Sequence, residues 1–341
     1  MPTPRQSIRL LDLGLTDWVR TQSVYHAVAE LMRPGSPDTV ILCRPRTPYV
    51  CLGYHQAYAA TLDRVAVERR RLPVFRRRLG GGATYLDSNQ VFYQCIVHHT
   101  RVPVMVSDVY RQMLAAPVSA LQRFGLRARL YDMNEIEVDG KRIAGIGGGR
   151  IGEAAVVVGN VLGDFDFLAM AEVWRVPSAS FRELALDTMR ERITTLREYA
   201  LMDLDAFQKL LLEEFAVSFG RPIEPGELTS EEEDRSKEIA ERQTSAEYLN
   251  LHSNTPSAEP MRMLKISARA WIHAAAAEID GYTVRASFRV CDDVIEMAKL
   301  ESSPRADWHA VEQGLRGIPL QAWKEQTRSL MQSAQELCTP A

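Results

Sequence analysis

Near the middle of the chain, "NEIEVDGKRIAGIGGG" (134–149) sets Asp139-Gly140 between two short apolar runs. Asp-Gly accepts the positive φ values of a two-residue hairpin turn, so the segment predicts an antiparallel strand pair. Other strand-like runs arrive in a similar order. "TVILCR" and "YVCLGYHQ" flank the "PRTP" turn, "VFRRRL" enters a glycine loop, "NQVFYQCIVHH" leaves it, and "EAAVVVGNVLGDF" follows the hairpin. Helical periodicity separates them: Val19, Val24, Ala27, Val28 and Leu31 recur at helical spacing before "PGSPD", and a second helix is expected over "AATLDRVAVERRRLP", ending at Pro73. A third spans about Val106 to Phe124. Hairpin-ordered strands interleaved with long helices predict an α+β fold, a mixed and largely antiparallel sheet with packed helices.

Beyond residue 200, "LDAFQKLLLEEFAVSFG" and "TSEEEDRSKEIAERQTSAEYL" read as helices, the second opened by Thr229 or Ser230 as N-cap. Its acidic first turn reads as a solvated face. The proline-containing "LHSNTPSAEP" predicts a linker. Past it, "YTVRASFRVCDDVIEMAKLE" predicts a hairpin about Asp292-Asp293, and the helical stretch to about residue 334 completes a small second unit. The expected division is a catalytic domain over 1–250 and a small α+β accessory domain over 260–341.

Composition excludes several classes. The 41 basic and 44 acidic side chains leave a formal charge of -3, which offers no global field for nucleic acid. Five scattered cysteines without CxxC spacing predict neither a disulfide framework nor a zinc site, and the seven histidines form no metal constellation. The first residues carry charges where a signal peptide needs its apolar core, and no apolar run reaches spanning length. The expectation is a cytoplasmic protein with no membrane partner.

The chemistry concentrates in "RRRLGGGATYLD", Arg76 to Asp87. Consecutive glycines reduce the stability of a fold, so a loop keeps them where a ligand approaches the main chain or φ is positive. Their N–H groups can ring an anion, and Arg76 and Arg77 add forked donors suited to phosphate or carboxylate. The second glycine-rich stretch, 140–152, again lies between strands. Together they suit an elongated ligand with one charged end.

"RRRLGGGATYLD" resembles the arginine-arginine, triple-glycine, histidine-aspartate signature of lipoate-protein ligases. "NEIEVDGKRIAGIGGG" is similar to their Asn-Asp-Ile hairpin with its lysine and glycine, and "PYVCLGYHQ" and "MRERITTLREY" stand in matching order. The resemblance covers roughly residues 7 to 200, and the C-terminal unit resembles the family's small accessory domain. It implies two steps: ATP activates lipoate as an acyl-adenylate, and a lysine of a lipoyl carrier domain then takes the acyl group. It implies Arg76 and Arg77 toward the adenylate phosphate and acyl carboxyl, Gly80, Gly81 and Gly82 along the acyl tail, and Asp87 holding the loop. Asn134 and Glu135 would sit near the phosphate, with Glu135 toward Mg2+, and Gly145 and Gly147 against the substrate. The carrier implied is of the glycine-cleavage-H-like, lipoate-binding or 2-oxoacid dehydrogenase E2 type.

This chain departs from that pattern. Counting back from Gly145, the ligase lysine is Arg142, a planar fork in place of a point charge. Lys141 is adjacent, and strand alternation puts it on the opposite face unless a bulge shifts the register, so Arg142 is expected to face the ligand. Leu79 and Leu86 replace a serine and a histidine and would make the pocket more apolar; Glu135 replaces an aspartate. The alternatives are an ATP-independent octanoyl or lipoyl transferase, which needs a cysteine shortly before the hairpin that "RARLYDMNEIEV" lacks, and a non-catalytic lipoyl or acyl-carrier-binding protein. Biotin ligases share the scaffold but usually carry a different loop. Cys95 and Cys51 read as core residues.

Overall fold

The computed structural model describes residues 7–252 and 260–337. In chain order the elements are β1 (Ile8–Thr16), α1 (Arg20–Glu30), β2 (Thr39–Pro45), β3 (Tyr49–Leu52), α2 (Tyr58–Thr61), α3 (Arg64–Arg69), β4 (Val74–Arg76), β5 (Thr84–Leu86) and β6 (Gln90–His98). There follow α4 (Val106–Arg123), β7 (Ala128–Tyr131), β8 (Glu135–Val138), β9 (Lys141–Arg142), β10 (Ala144–Ile151), β11 (Ala154–Leu162), α5 (Phe167–Val173), α6 (Ala179–Arg192), α7 (Leu204–Phe219), β12 (Ile223–Pro225), α8 (Ser230–Thr244) and α9 (Ala246–Leu249). The C-terminal part holds β13 (Met263–Lys265), β14 (Ala270–Ile279), β15 (Tyr282–Cys291), β16 (Val294–Ser303), α10 (His309–Gly314) and α11 (Trp323–Leu337).

The main sheet runs β10-β11-β6-β2-β1-β12; β1 is parallel to β2 and β12, and the other pairs are antiparallel. The fold is the expected α+β class with a mixed, largely antiparallel sheet. Strand β6 is buried throughout because both its faces are covered. Its odd residues Tyr93, Cys95 and Val97 join Met113 and Leu121 of α4 and Phe207, Leu211 and Phe215 of α7. On the other face Ile96 packs with Ile41, Val156 and the α1 residues Val24 and Val28. Helix α1 is buried from Thr21 to Ala29, since the sheet lies on one side of it and α8 on the other.

Two small sheets border the main one. Strands β4-β3-β5 carry the glycine loop, and β7-β8-β9 form the predicted Asp-Gly hairpin, with Asp139 and Gly140 at φ 51° and 80°. The fourth sheet, β13-β14-β15-β16, is antiparallel, turns at Asp292-Asp293 with φ 49° and 64°, and has its own core around Phe288, Trp308 and Trp323. The start of this sheet does not stay with that core. Leu264, Ile266 and Ile272 pack instead with Val50 and Leu52 of β3 and Phe181 and Leu184 of α6.

Three expectations need correction. The helix expected up to Pro73 is two short pieces, because Leu62 turns to extended backbone to bridge Trp174 and Asp63 caps a new start at Ala66 N. β2 and β3, adjacent in sequence, lie in different sheets. The acidic turn of α8 is not merely solvated: Thr229 and Glu232 form a capping box, Glu232 pairs with Arg9 at 2.6 Å, and Glu233 pairs with Arg20 at 2.5 Å. Most of the expected linker lies outside the described residues.

Candidate active site

A cavity of about 410 Å³ opens between the main sheet, α1, the glycine loop and the start of the C-terminal sheet. Even residues of β6 and β11 face it, Phe92 and Gln94 beside Val158, Asn160 and Leu162. The β3–β5 side contributes Cys51, Thr84 and Leu86, and α1 contributes Gln22 and Tyr25. Met170, Trp174 and Met189 extend the apolar wall. Asn134, Glu135 and Arg142 stand at the hairpin end, and Met261 together with Met263 to Ile266 closes the remaining side.

Backbone contacts shape the loop. A Cβ on Gly53 would lie 2.0 Å from the Gly81 carbonyl oxygen, so the strand end and the glycine loop touch main chain to main chain. Gly81 itself has φ +92°. Arg77 clasps the loop: Nη2 donates to Gly80 O at 2.7 Å and Gly82 O at 2.8 Å, while Nη1 donates to Cys51 O at 3.2 Å. On the opposite wall a Cβ on Gly145 would meet Asn160 Oδ1 at 2.6 Å. Both glycine stretches thus present bare backbone to the cavity.

The hairpin end is charged and incompletely satisfied. Glu135 is buried; Ala268 N donates to its Oε2 at 2.7 Å, and its Oε1 has no partner among the described residues. Burial raises its carboxyl above the usual range, with Arg142 the main opposing influence. Arg142 donates from Nε to Ala144 O at 2.9 Å and from Nη1 to Ile266 O at 3.2 Å. Tyr25 Oη and Gln94 Oε1 are likewise buried without partners among the described residues. The cavity thus joins an apolar arm with a few polar atoms to a zone with both charges.

The cavity wall takes Arg77, Gly81, Gly82, Asn134, Glu135, Arg142, Gly145 and Gly147. Arg76, expected beside the ligand phosphate, is elsewhere. Its fully buried guanidinium donates to the carbonyls of Gly53, Tyr54, Gln56, Tyr248 and Leu249, tying the loop after β3 to the end of α9. Gly80 lies behind the wall as an acceptor for Arg77, and Asp87 accepts from Asn89 N at 2.9 Å at the entry to β6. Lys141 points away, 3.6 Å from Glu198. Leu86 lines the cavity as expected, but Leu79 joins the core beside α1.

Sequence reasoning missed Gln22 and Tyr25, which polar residues on the apolar face of α1 would have signalled. It also missed Cys51 as a wall residue and the entire 261–266 contribution, for which no local signal exists. The Cys51 thiol is pushed up by burial, against the pull of Arg77, whose Nη1 is 3.6 Å from its Sγ. Cys95 is a core residue, its thiol raised far by burial. Among the described residues no group of three or more metal-ligating side chains gathers, and no helix is long and apolar enough to cross a membrane.

Known proteins resemble this chain in sequence and in fold. The octanoyltransferase LipM of Kyrpidia tusciae is 27% identical over 270 residues, 71% of this chain and 98% of that protein. Among solved structures, the bipartite lipoate protein ligase of Thermoplasma acidophilum, studied with its E2 lipoyl domain, superposes with TM-score 0.67 at 22% identity, covering 74% of this chain and all (100%) of that one. A lipoate-protein ligase A bound with ATP gives TM-score 0.62 at 22% identity over 72% of this chain and 100% of that one. Residues 20–216 match the lipoyl protein ligase A/B catalytic domain, more than half of the chain, and on that match this protein belongs to the lipoate ligase and octanoyltransferase family.

Proposed function

We propose that this enzyme is a lipoate-protein ligase of the ATP-dependent kind, activating lipoate or octanoate as an acyl-adenylate and passing it to a carrier lysine. The observation that carries the reading is the hairpin end of the cavity. Arg142, Asn134 and the unpaired Glu135 Oε1 stand together there, while burial raises the thiol of the wall's Cys51.

The acyl chain lies against Leu86, Phe92, Val158 and Trp174, with its carboxylate at Arg142. A carboxylate oxygen attacks the α-phosphorus of ATP, and the bond to the bridging oxygen breaks to release pyrophosphate. Arg142 and the loop N–H groups stabilise charge on the phosphoryl oxygens. The carrier amine then attacks the acyl carbonyl, an amide forms, AMP leaves and a proton is lost. Mg2+, which commonly binds one or two carboxylates plus substrate phosphates, fits Glu135 through its free Oε1 and would neutralise phosphate charge there. A lipoyl domain of the E2 type is the carrier best supported, since a structural neighbour was studied with one; glycine-cleavage-H-like and lipoate-binding carriers present the same kind of lysine.

The test is lipoate-dependent exchange of labelled pyrophosphate into ATP without carrier, with octanoate in parallel. Exchange above the acid-free control is expected, and its absence with both acids would refute the reading. A thioester-forming transferase is the second reading, favoured by Cys51 in the wall beside Arg77. In that reading Cys51→Ser abolishes transfer from an octanoyl carrier.

A further inference from the structure

The hairpin sends its own lysine away from the cavity, yet the wall contains an ammonium. It comes from the C-terminal sheet: Lys265, the last residue of β13, lines the cavity on the side facing the hairpin. Its side chain is exposed at the mouth, with Nζ 5.4 Å from the centre of the Trp271 ring. Among the described residues no carboxylate forms an ion pair with it. The other cations of the wall are engaged, Arg77 by the carbonyls of Cys51, Gly80 and Gly82, and Arg142 by those of Ala144 and Ile266. Among the described cations of the wall, Lys265 is the one that keeps all three donors for a ligand.

Its place is held from both sides. Leu264 and Ile266, on the other face of the strand, are buried against Val50, Leu52 and Trp174 and line the cavity from that side. Just beyond, Ile266 O accepts from Arg142 and Ala268 N donates to Glu135. The segment carrying Lys265 is therefore fastened to the two charged side chains of the hairpin, and its ammonium acts on Glu135 through space. A cation over an indole face is held without being neutralised, so it can still meet an anion.

We infer that Lys265, brought in from the C-terminal sheet, binds the anionic end of the acyl donor opposite Arg142: the carboxylate before activation and the phosphoryl group after it. This rests on the acyl-activating reading above and adds to it the element that supplies an ammonium where the hairpin supplies a guanidinium. A compact charge with rotatable donors on a flexible stem can follow the oxygen as it passes from carboxylate to phosphoryl ester, while the Arg142 fork stays fixed by Ala144 O and Ile266 O. The C-terminal sheet is then part of the active site.

The test compares Lys265→Met, Lys265→Arg and, on the same sheet but exposed and remote from the cavity, Lys299→Met. Lipoate affinity is measured by calorimetry and kcat/KM by pyrophosphate exchange. Loss of one charge-assisted contact predicts that Lys265→Met weakens both by about tenfold or more, that Lys265→Arg recovers part, and that Lys299→Met stays near wild type. Wild-type values for Lys265→Met in both assays would overturn the inference, as would a fall in its melting temperature large enough to account for the loss. If the wild-type protein binds lipoate without exchange, the acyl-activating reading fails and the affinity of Lys265→Met alone decides the role of Lys265. If it does neither, both fall.

Discussion

Gly53→Ala is the sharpest perturbation the structure offers, because the added methyl meets backbone. The new Cβ would sit 2.0 Å from Gly81 O, 3.0 Å from Gly81 C and 3.3 Å from Arg77 Nη2. Carbon and carbonyl oxygen settle at about 3.3–3.6 Å, so the loop must retreat by more than about 1 Å. It cannot do so alone: Gly80 O and Gly82 O hold Arg77, and Gly81 and Gly82 are wall residues. Overpacking of this kind costs about 1–3 kcal/mol of stability. A displacement of about 1 Å at a reaction centre is worth roughly 100-fold in rate. The assay is kcat/KM for pyrophosphate exchange together with urea unfolding, with Gly35→Ala as the stability control, since its Cβ meets nothing within 4 Å. Gly53→Ala with wild-type rate and stability would refute the claim that main-chain contact positions the loop.

Arg142→Lys keeps the charge but loses the planar fork that donates from Nε to Ala144 O and from Nη1 to Ile266 O, so a loss of roughly tenfold in kcat/KM is expected; an equal or faster variant in the exchange assay would contradict it. Arg76→Met leaves five carbonyls without the guanidinium they hold, and about 1–3 kcal/mol or more should be lost in urea unfolding. His26 is fully buried, accepts from Arg78 N at Nε2, and is lowered to about 3, desolvation being the main cause. Its folded pKa lies below its unfolded value of 6.5, so the unfolded chain binds the extra proton. Its contribution is full above pH 6.5 and falls by up to about 1.4 kcal/mol per pH unit down to about 3. The stability gap between wild type and His26→Gln, measured at descending pH, should narrow accordingly; a constant gap would count against it.

Much of the fold was legible because its signals are local. The Asp139-Gly140 turn, the Asp292-Asp293 turn and the period of α1 are each decided by neighbours in sequence. The parallel pairing of β1 with β2 and β12 was not, since β12 arrives after all the helices up to α7 and carries no periodic pattern in its three residues. The site divides the same way. Alternation along a strand separates Arg142 from Lys141, and the structure places them on opposite sides. Nothing local separates Arg76 from Arg77: one ends β4 and turns into the core beneath α9, the other begins the loop, and only tertiary contact with Tyr248 and Leu249 decides it. Lys265 was invisible for the same reason, being brought to the hairpin by a strand more than a hundred residues away in sequence.

The most direct measurement is the intact mass of a purified apo lipoyl domain after incubation with this protein and lipoate, with and without ATP. A gain of one lipoyl amide is expected, requiring ATP and magnesium and surviving Cys51→Ser. A gain from an octanoyl carrier without ATP, abolished by Cys51→Ser, would contradict it.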